Sequence, residues 1–206
     1  MGSLMPLAPA LLPGSQPVLG HTALTSQWQE EVERLLFGRF EKIDMAMGAS
    51  RPFIHELVAG FPAVRKTTGM GLIPAAFDGG TIDLSIEVDR AQTAGPFWAV
   101  IVANGDFPNS AVRWIAGANP SDQCLDVLLV RPRSFWQRQK FLLALRKGAH
   151  GALPGVVRFR GHRVTIRSAA PWRCVLDGGA AQEVRDDLVL EAKPEKLRVV
   201  AVETRR

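Results

Sequence analysis

Strand signals dominate the second half of the chain, and no helix alternates with them as a parallel sheet would need. TIDLSIEVD alternates apolar and polar residues, while FWAVIVAN and CLDVLLV are continuous apolar runs of a strand buried on both faces. Five further short strands follow, as GVVRFRG, HRVTIRS, WRCVLDG, DDLVLEA and KLRVVAV. The pattern predicts an α+β, mostly β fold: a two-layer antiparallel β-sandwich with two or three edge helices.

Two S-x-x-Q capping boxes predict helices at distant parts of the chain. One helix begins at Ser26, and another begins at Ser134 and runs to Gly148. A third candidate helix, HELVAGFPAVRKT, is interrupted at Pro62. The apolar arc of the helix after Ser134 is wide, which favours packing on a sheet over a membrane or cofactor stripe.

Two further local signals concern strands and turns. FEKIDMAMG is a strand candidate that leads into a glycine-containing turn. The Gly161–His162 pair separates GVVRFRG from HRVTIRS and predicts a tight hairpin between them.

Composition excludes several classes of protein. No window of about 18 uninterrupted apolar residues exists, so no transmembrane helix is expected. The apolar, Pro-rich arm of residues 1–24 lacks the basic start of a secretory signal, and residues 25–206 form the predicted domain. Cys124 and Cys174 form no metal pattern and suit reduced thiols in a cytoplasmic protein.

The positive charge is strongly segregated along the chain. Residues 127–176 contain eleven Arg or Lys and no Asp or Glu, although the net charge of the whole chain is only +5. Such a polarised molecule suits an anionic partner, and a basic solvated surface is the simpler alternative. The eleven residues are Arg131, Arg133, Arg138, Lys140, Arg146, Lys147, Arg158, Arg160, Arg163, Arg167 and Arg173.

The order of motifs over residues 30–202 resembles a known family. VIVANGDFPNSAVRWIAGANPSDQCLDVLLV, the helix ending in GAHG, and VVRFRGHRVTIRSAAPWRCVLDGG are similar to the C-terminal domain of the diacylglycerol kinase and sphingosine kinase-like bacterial lipid kinases. Upstream, FGRFEKIDMAMG resembles the stretch where the chain enters that domain. The resemblance implies a lipid-receiving β-sandwich from an enzyme that transfers a phosphoryl group from ATP to a lipid hydroxyl.

One departure from the family concerns the nucleotide. The family's Gly-Gly-Asp-Gly-Thr loop, which cradles ATP phosphates on backbone amides, occurs nowhere in the 206 residues. The sequence FDGGT at Phe77–Thr81 is a superficial echo and reads more simply as a turn. ATP is therefore expected only if a separate nucleotide-binding domain supplies it.

A second departure concerns the proton acceptor. The resemblance matches Asp177 to the first acid of the family's Asp-Gly-Glu motif, and Gly179 to the glutamate that accepts the proton. Glycine has no side chain that could take a proton. Asp177 could orient a hydroxyl or cap the turn at Gly178, and Glu183 is another candidate base.

The resemblance also implies a structural Mg²⁺ site. It assigns the side-chain ligand to Asp122 and two carbonyl ligands to Asn119 and Cys124, all oxygen donors that suit a hard cation. Gln123 replaces the glycine that follows the aspartate in the family, which puts the shape of this loop in question.

Three hypotheses of function follow. The chain is one part of a split lipid kinase, or a non-catalytic module that binds a lipid or the anionic inner face of the membrane peripherally. Nucleic-acid binding is the third, and no recognised motif supports it, so no nucleic-acid partner is expected. Strand alternation places Arg158 with Arg160, and Arg163 with Arg167, on a predicted basic face, with Val157, Phe159, Val164 and Ile166 towards the core.

Overall fold

The computed structural model describes residues 40–48, 51–60, 80–106 and 113–200. Almost all of them belong to one unit, Lys42–Val199. The predicted arm of residues 1–24 and the helix beginning at Ser26 lie outside the described residues.

Extended segments account for most of the described chain. Several of them, such as β4, β6 and β7, coincide with an apolar run or an alternating pattern, as strands that bury one or both faces require. The strands are β1 (Phe40–Gly48), β2 (Arg51–Phe53), β3 (Glu56–Gly60), β4 (Ile82–Val88), β5 (Ala91–Phe97), β6 (Ala99–Ala103), β7 (Leu125–Val130), β8 (Val156–Gly161), β9 (Arg163–Arg167), β10 (Trp172–Leu176), β11 (Gln182–Val184) and β12 (Leu188–Val200).

The strands form two six-stranded sheets. The first sheet has the order β2-β1-β12-β9-β4-β5, and the second sheet has the order β11-β10-β3-β6-β7-β8. The paired strands run antiparallel in both sheets. The predicted antiparallel β-sandwich is therefore confirmed.

The main core lies between the two sheets. Alternate residues of β4, namely Leu84, Ile86 and Val88, are buried in this core, while Asp83, Ser85 and Glu87 alternate with them. This is the period-2 pattern of a strand with one buried face. TIDLSIEVD is thus confirmed as a half-buried strand.

A second core lies between the second sheet and helix α1 (Phe135–Arg146). Strands β6 and β7 are buried on both faces, because residues such as Val100 pack between the sheets while Ile101 packs towards α1. The Ser134 capping box is present, with reciprocal hydrogen bonds between Ser134 and Gln137. The helix predicted after Ser134 is confirmed.

Only one α-helix, α1, and one short 3-10 helix (His150–Ala152) occur in the described part of the chain. The HELVAG part of the third predicted helix is wrong, since it forms β3, and residues 61–67 lie outside the described residues. Strand β3 pairs with β6 on one side and β10 on the other. These two sets of hydrogen bonds override the local helical pattern. No described helix is both long and apolar enough to span a bilayer.

Two differences from the predicted strands concern where a strand begins and ends. FWAVIVAN is divided at Trp98, because Phe97 ends β5 in the first sheet and Ala99 begins β6 in the second. The described parts of the predicted strands DDLVLEA and KLRVVAV are joined in one strand, β12 (Leu188–Val200), which continues through Pro194. The last pair with β9 is Glu191 with Arg163, so the missing N–H of Pro194 breaks no bond on that side.

The predicted hairpin at Gly161–His162 is wrong. Strand β8 is an edge of the second sheet and β9 lies inside the first, so the chain crosses between sheets at this point. A Cβ at Gly161 would lie 2.6 Å from Asp89 Oδ2 and 2.7 Å from Val88 Cγ1. The glycine is therefore needed for close approach to the end of β4, where the Asp89 carboxylate accepts hydrogen bonds from the amides of His162 and Arg163.

Candidate functional site

Asp177 follows β10, and its carboxylate organises the turn between β2 and β3. It accepts hydrogen bonds from the backbone amides of Ile54, His55 and Glu56 at 2.8, 2.8 and 3.0 Å. The Asp177 amide in turn donates to the Glu56 carbonyl at 2.9 Å. Asp177 is thus fixed by the main chain of a neighbouring strand and does more than cap its own turn.

Glu56 begins β3 directly beside this aspartate. Its side chain is only 16% exposed, and the described ion pairs offer it no cation except His55, whose Nδ1 is 3.6 Å from Glu56 Oε2. Burial raises the pKa of Glu56 to about 7, with a further contribution from the negative charge of Asp177. A carboxyl group with a pKa near neutrality can both accept and release a proton at physiological pH.

His55 contacts Glu56 and also feels the negative charge of a third carboxylate, Asp106. Burial lowers the pKa of His55, against the opposing pull of Asp177 and Asp106, so at neutral pH its contact with Glu56 is not a charged pair. The Arg113 guanidinium donates to Asp106 and lowers the pKa of that carboxyl. We call Asp177, Glu56, His55 and Asp106 the carboxylate–histidine cluster.

Asn104, at the end of β6, ties this cluster to β1. Its side-chain amide donates to the carbonyls of Asp44 and Ile54, at 2.9 and 3.1 Å, and its backbone amide donates to His55. Asn104 is fully buried, which fixes the turn on which His55 and Glu56 lie.

Gly179 lies in the exposed turn after β10, and its amide donates to the Leu176 carbonyl at 2.8 Å. The structure therefore brings Asp177 next to the β2–β3 turn and leaves position 179 without an acid. Glu183, the other candidate base, is an exposed residue of β11 whose carboxylate pairs with Arg185.

The predicted metal ligands lie on the loop before β7. The Asp122 carboxylate accepts from the Cys124 amide at 3.0 Å and also pairs with the Arg160 guanidinium. The Asn119 side chain accepts from the Ser121 amide. Gln123 adopts a φ of 60°, in the left-handed region that glycine favours. Its backbone amide donates a hydrogen bond to the Asp44 carboxylate.

These residues do not fit a Mg²⁺ ion. Asp122 is the only carboxylate of the set, and the Arg160 guanidinium already supplies the positive charge opposite it. Protein Mg²⁺ sites use one or two carboxylates that are free to bind the ion, and the carboxylate of Asp122 is instead paired with Arg160. Among the described residues, no group of three or more His, Cys, Asp or Glu side chains could hold a metal ion.

Four arginines of the basic segment are paired with carboxylates from other parts of the chain. Arg158 lies 3.7 Å from Asp126, and Arg160 contacts Asp122. In the first sheet, Arg163 contacts Glu191, and Arg167 contacts Glu87 and Asp187. The two arginine pairs also belong to different sheets, so the predicted common basic face is wrong. Val164 and Ile166 are buried and Phe159 is half-buried as predicted, while Val157 is exposed.

A cavity of about 660 Å³ opens at the other end of β3 and β10 from the cluster. Gly60, Asp83, Ser168 and Trp172 are among its lining residues, and Trp172 is buried. Four residues of extended strand separate Gly60 from Glu56, a distance of about 13 Å. The cavity and the carboxylate–histidine cluster are therefore separate features.

Comparison with solved structures identifies the class of fold. A protein assigned as a diacylglycerol kinase from Bacillus anthracis str. Sterne superposes with a TM-score of 0.66 at 14% identity, over 80% of this chain and 58% of that chain. A second structure from that organism gives 0.65 at 15% identity, over 80% and 58% of the two chains. The chain thus has the β-sandwich of diacylglycerol kinase structures and spans less than two thirds of their length.

The chain belongs to the family of the YegS C-terminal NAD kinase beta sandwich-like domain, whose model matches residues 68–201. The match covers more than half of the 206 residues and confirms the family resemblance drawn from the motifs. No curated protein matches the chain in sequence.

The sequence did not predict that Glu56 and His55 lie beside Asp177, or that the charge of Asp106 acts on His55. The helical interpretation of HELVAG hid Glu56, since the first residue of a strand beside a turn has a different environment from a residue inside a helix. The one available signal is the acid that directly precedes the apolar LVAG run.

Proposed function

We propose that this chain is the lipid-acceptor domain of a diacylglycerol kinase-like phosphotransferase, with ATP held by a nucleotide-binding domain outside these 206 residues. Membership of the family and the fold shared with diacylglycerol kinase structures support the proposal. The missing Gly-Gly-Asp-Gly-Thr motif supports its second half, because nothing in the sequence replaces that phosphate-binding loop. The domain alone has no kinase activity.

The observation that carries the proposal is the Glu56 carboxyl beside Asp177. Glu56 is the proton acceptor: its carboxylate takes the proton of a lipid hydroxyl as that oxygen bonds to the γ-phosphorus and ADP leaves with the electrons of the broken P–O bond. Asp177 is a positioning residue, because it holds the Glu56 amide. Its negative charge also helps to keep the pKa of Glu56 near 7, so the base is regenerated at neutral pH.

The acceptor role passes to Glu56 because position 179 has no acid. Gly179 and Asp177 lie in the turn after β10, and this turn is hydrogen-bonded to the turn that carries Glu56. A base supplied from β3 would therefore act from the same end of the second sheet as one supplied from position 179.

A non-catalytic lipid-binding module is the second candidate. Two features favour it. Position 179 is a glycine and has no carboxylate to accept a proton, and the Asp122 carboxylate is paired with the Arg160 guanidinium. Such a module would bind diacylglycerol without supporting transfer in any combination of domains.

The two candidates are distinguished by a phosphoryl-transfer assay on diacylglycerol in mixed micelles. The chain alone is expected to give no turnover and no heat of Mg-ATP binding. Addition of the Gly-Gly-Asp-Gly-Thr domain encoded nearest to it should restore transfer. In a Glu56→Gln background that has lost the base, Gly179→Glu should raise the rate again, within the roughly 10²- to 10⁴-fold range of a general base. Gly179→Gln is the matched control. Binding of diacylglycerol without transfer by the combined domains would support the non-catalytic module.

A further inference from the structure

One stripe of the outer surface of α1 combines large apolar side chains with lysines. Trp136, Lys140, Leu143 and Lys147 follow one another at intervals of four, three and four residues. At 3.6 residues per turn, this spacing places all four on the same side of the helix. The opposite side, with Phe141, is buried against the second sheet. We call these four residues the outer stripe of α1.

The apolar members of the outer stripe are unusually exposed. Trp136 is 74% exposed and Leu143 is 58% exposed, the two highest values among the large apolar side chains that the structure describes. The Trp136 ring rests edge-on against Phe135, with a centroid separation of 5.3 Å.

Within residues 127–176, most of the described basic side chains that lack a carboxylate partner lie around this helix. Ten of the eleven basic side chains in residues 127–176 are described, and six of these ten have no carboxylate partner among the described residues. Five of those six lie at the start of α1 or along it, and no acid occurs in the helix. They are Arg131, Arg133, Arg138, Lys140 and Lys147.

We infer that the outer stripe of α1 docks on an anionic lipid bilayer, with Trp136 and Leu143 in the interfacial region and Lys140 and Lys147 on the headgroups. Indole rings favour the membrane interface, and the lysines are attracted by its negative surface potential. A second copy of the chain is a poor occupant, since two cationic stripes repel. A nucleic acid is also a poor occupant, because the exposed Leu143 side chain has neither a charge nor a hydrogen-bond donor for a phosphate. The docking is independent of phosphoryl transfer.

Vesicle co-sedimentation of the full chain tests this surface. Binding is expected to vesicles of phosphatidylcholine with phosphatidylglycerol, to be far weaker to phosphatidylcholine alone, and to fall as salt rises. Lys140→Gln with Lys147→Gln should lower the partition coefficient about 30-fold, from the usual contribution of two basic residues at an anionic surface. Arg90→Gln with Lys196→Gln is the matched control, because Arg90 is exposed in the turn between β4 and β5, Lys196 is exposed in β12, and the loss of charge is equal.

Trp136 also provides a local readout. Trp98, Trp114 and Trp172 are buried, and Trp28 lies outside the described residues. In a Trp28→Phe background, lipids brominated near the headgroup should therefore quench mainly the fluorescence of Trp136. Trp136→Phe should remove that quenching and keep most of the binding, while Trp136→Gln with Leu143→Gln should abolish the binding without changing the thermal melt.

Several results would overturn the inference. An equal loss in the Arg90 and Lys196 control would show that net charge alone drives binding. Unchanged binding in both α1 variants would assign it to another segment, such as residues 1–24. Duplex DNA that binds as well as vesicles at matched salt, or a dimer that dissociates on Trp136→Gln with Leu143→Gln, would assign the stripe to a different partner.

Discussion

Asp177 and Glu56 are joined by two hydrogen bonds that run in opposite directions. The Glu56 amide donates to the Asp177 carboxylate at 3.0 Å, and the Asp177 amide donates to the Glu56 carbonyl at 2.9 Å. The end of β10 is thereby locked to the start of β3, which are neighbours in the second sheet. This lock places the carboxyl of Glu56 where Asp177 can influence its pKa.

Asp177→Gly tests the lock. The substitution removes the acceptor of three backbone amides, and glycine adopts the φ of 47° at this position without strain. The free energy of unfolding should fall by about 2 kcal/mol, as for loss of hydrogen bonds to a charged acceptor. Urea denaturation measures the change. Asp186→Gly is the control at an exposed acid, and equal losses for the two variants would show that Asp177 has no special role.

Glu56→Gln tests the raised pKa. Burial and Asp177 raise the pKa of Glu56 from 4.5 to about 7, so the folded state holds a proton that the unfolded state has lost between these values. Stability contributed by this proton is fully present below pH 4.5 and is lost as pH rises through 7. Glu56→Gln should therefore match the wild type near pH 4 and exceed its free energy of unfolding at pH 8 by about 3 kcal/mol.

The control for this experiment is Glu183→Gln, at an exposed glutamate. Its stability should follow the wild type across the same pH range. If Glu56→Gln also follows the wild type at every pH, the carboxyl of Glu56 titrates normally and the proposed acceptor has no special tuning.

Gly161→Ala tests the crossing between the two sheets. A Cβ at this position would lie 2.6 Å from the Asp89 carboxylate and 2.7 Å from Val88 Cγ1, and the carboxylate is held in place by the amides of His162 and Arg163. The variant should lose about 1–3 kcal/mol of stability, the usual effect of overpacking. Gly151→Ala is the control, because the nearest atom to its Cβ is 3.9 Å away. Equal melting temperatures would contradict the close approach of β8 to β4.

Asp122→Ala tests whether the loop before β7 holds a metal ion. Because Arg160 already pairs with Asp122, Mg²⁺ should not change the melting temperature of the wild type. Asp122→Ala should lower it slightly and by the same amount with and without Mg²⁺. A wild-type melting temperature that rises with Mg²⁺, and a rise that Asp122→Ala removes, would instead establish a metal site, since a ligand stabilises the state that it binds.

Local sequence patterns predicted the elements that can be recognised from residues close together in the chain. The alternation in β4, the double burial of β6 and β7, and the Ser134 capping box each follow from residues close together in the chain. The family resemblance depended on the order of such elements, and the family match confirms it.

Contacts between residues far apart in the chain explain the features that local sequence patterns did not predict. HELVAG became a strand because β6 and β10 flank it, and neither is a neighbour in sequence. Arg160 and Arg167 were assigned to an unpaired basic face because their carboxylate partners lie 38 and 80 residues away. Glu56 acquires its raised pKa from burial and from Asp177, which is 121 residues distant.

The most direct test of the proposed function is the pH–rate profile of transfer to diacylglycerol by the chain combined with its nucleotide-binding domain. If Glu56 is the proton acceptor, activity should rise through a pKa of about 7, and Glu56→Gln should lower it by about 10²-fold or more while removing that dependence. Glu183→Gln should keep the wild-type profile. A Glu56→Gln complex with the rate and the pH profile of the wild type would contradict the assignment of Glu56 as the base.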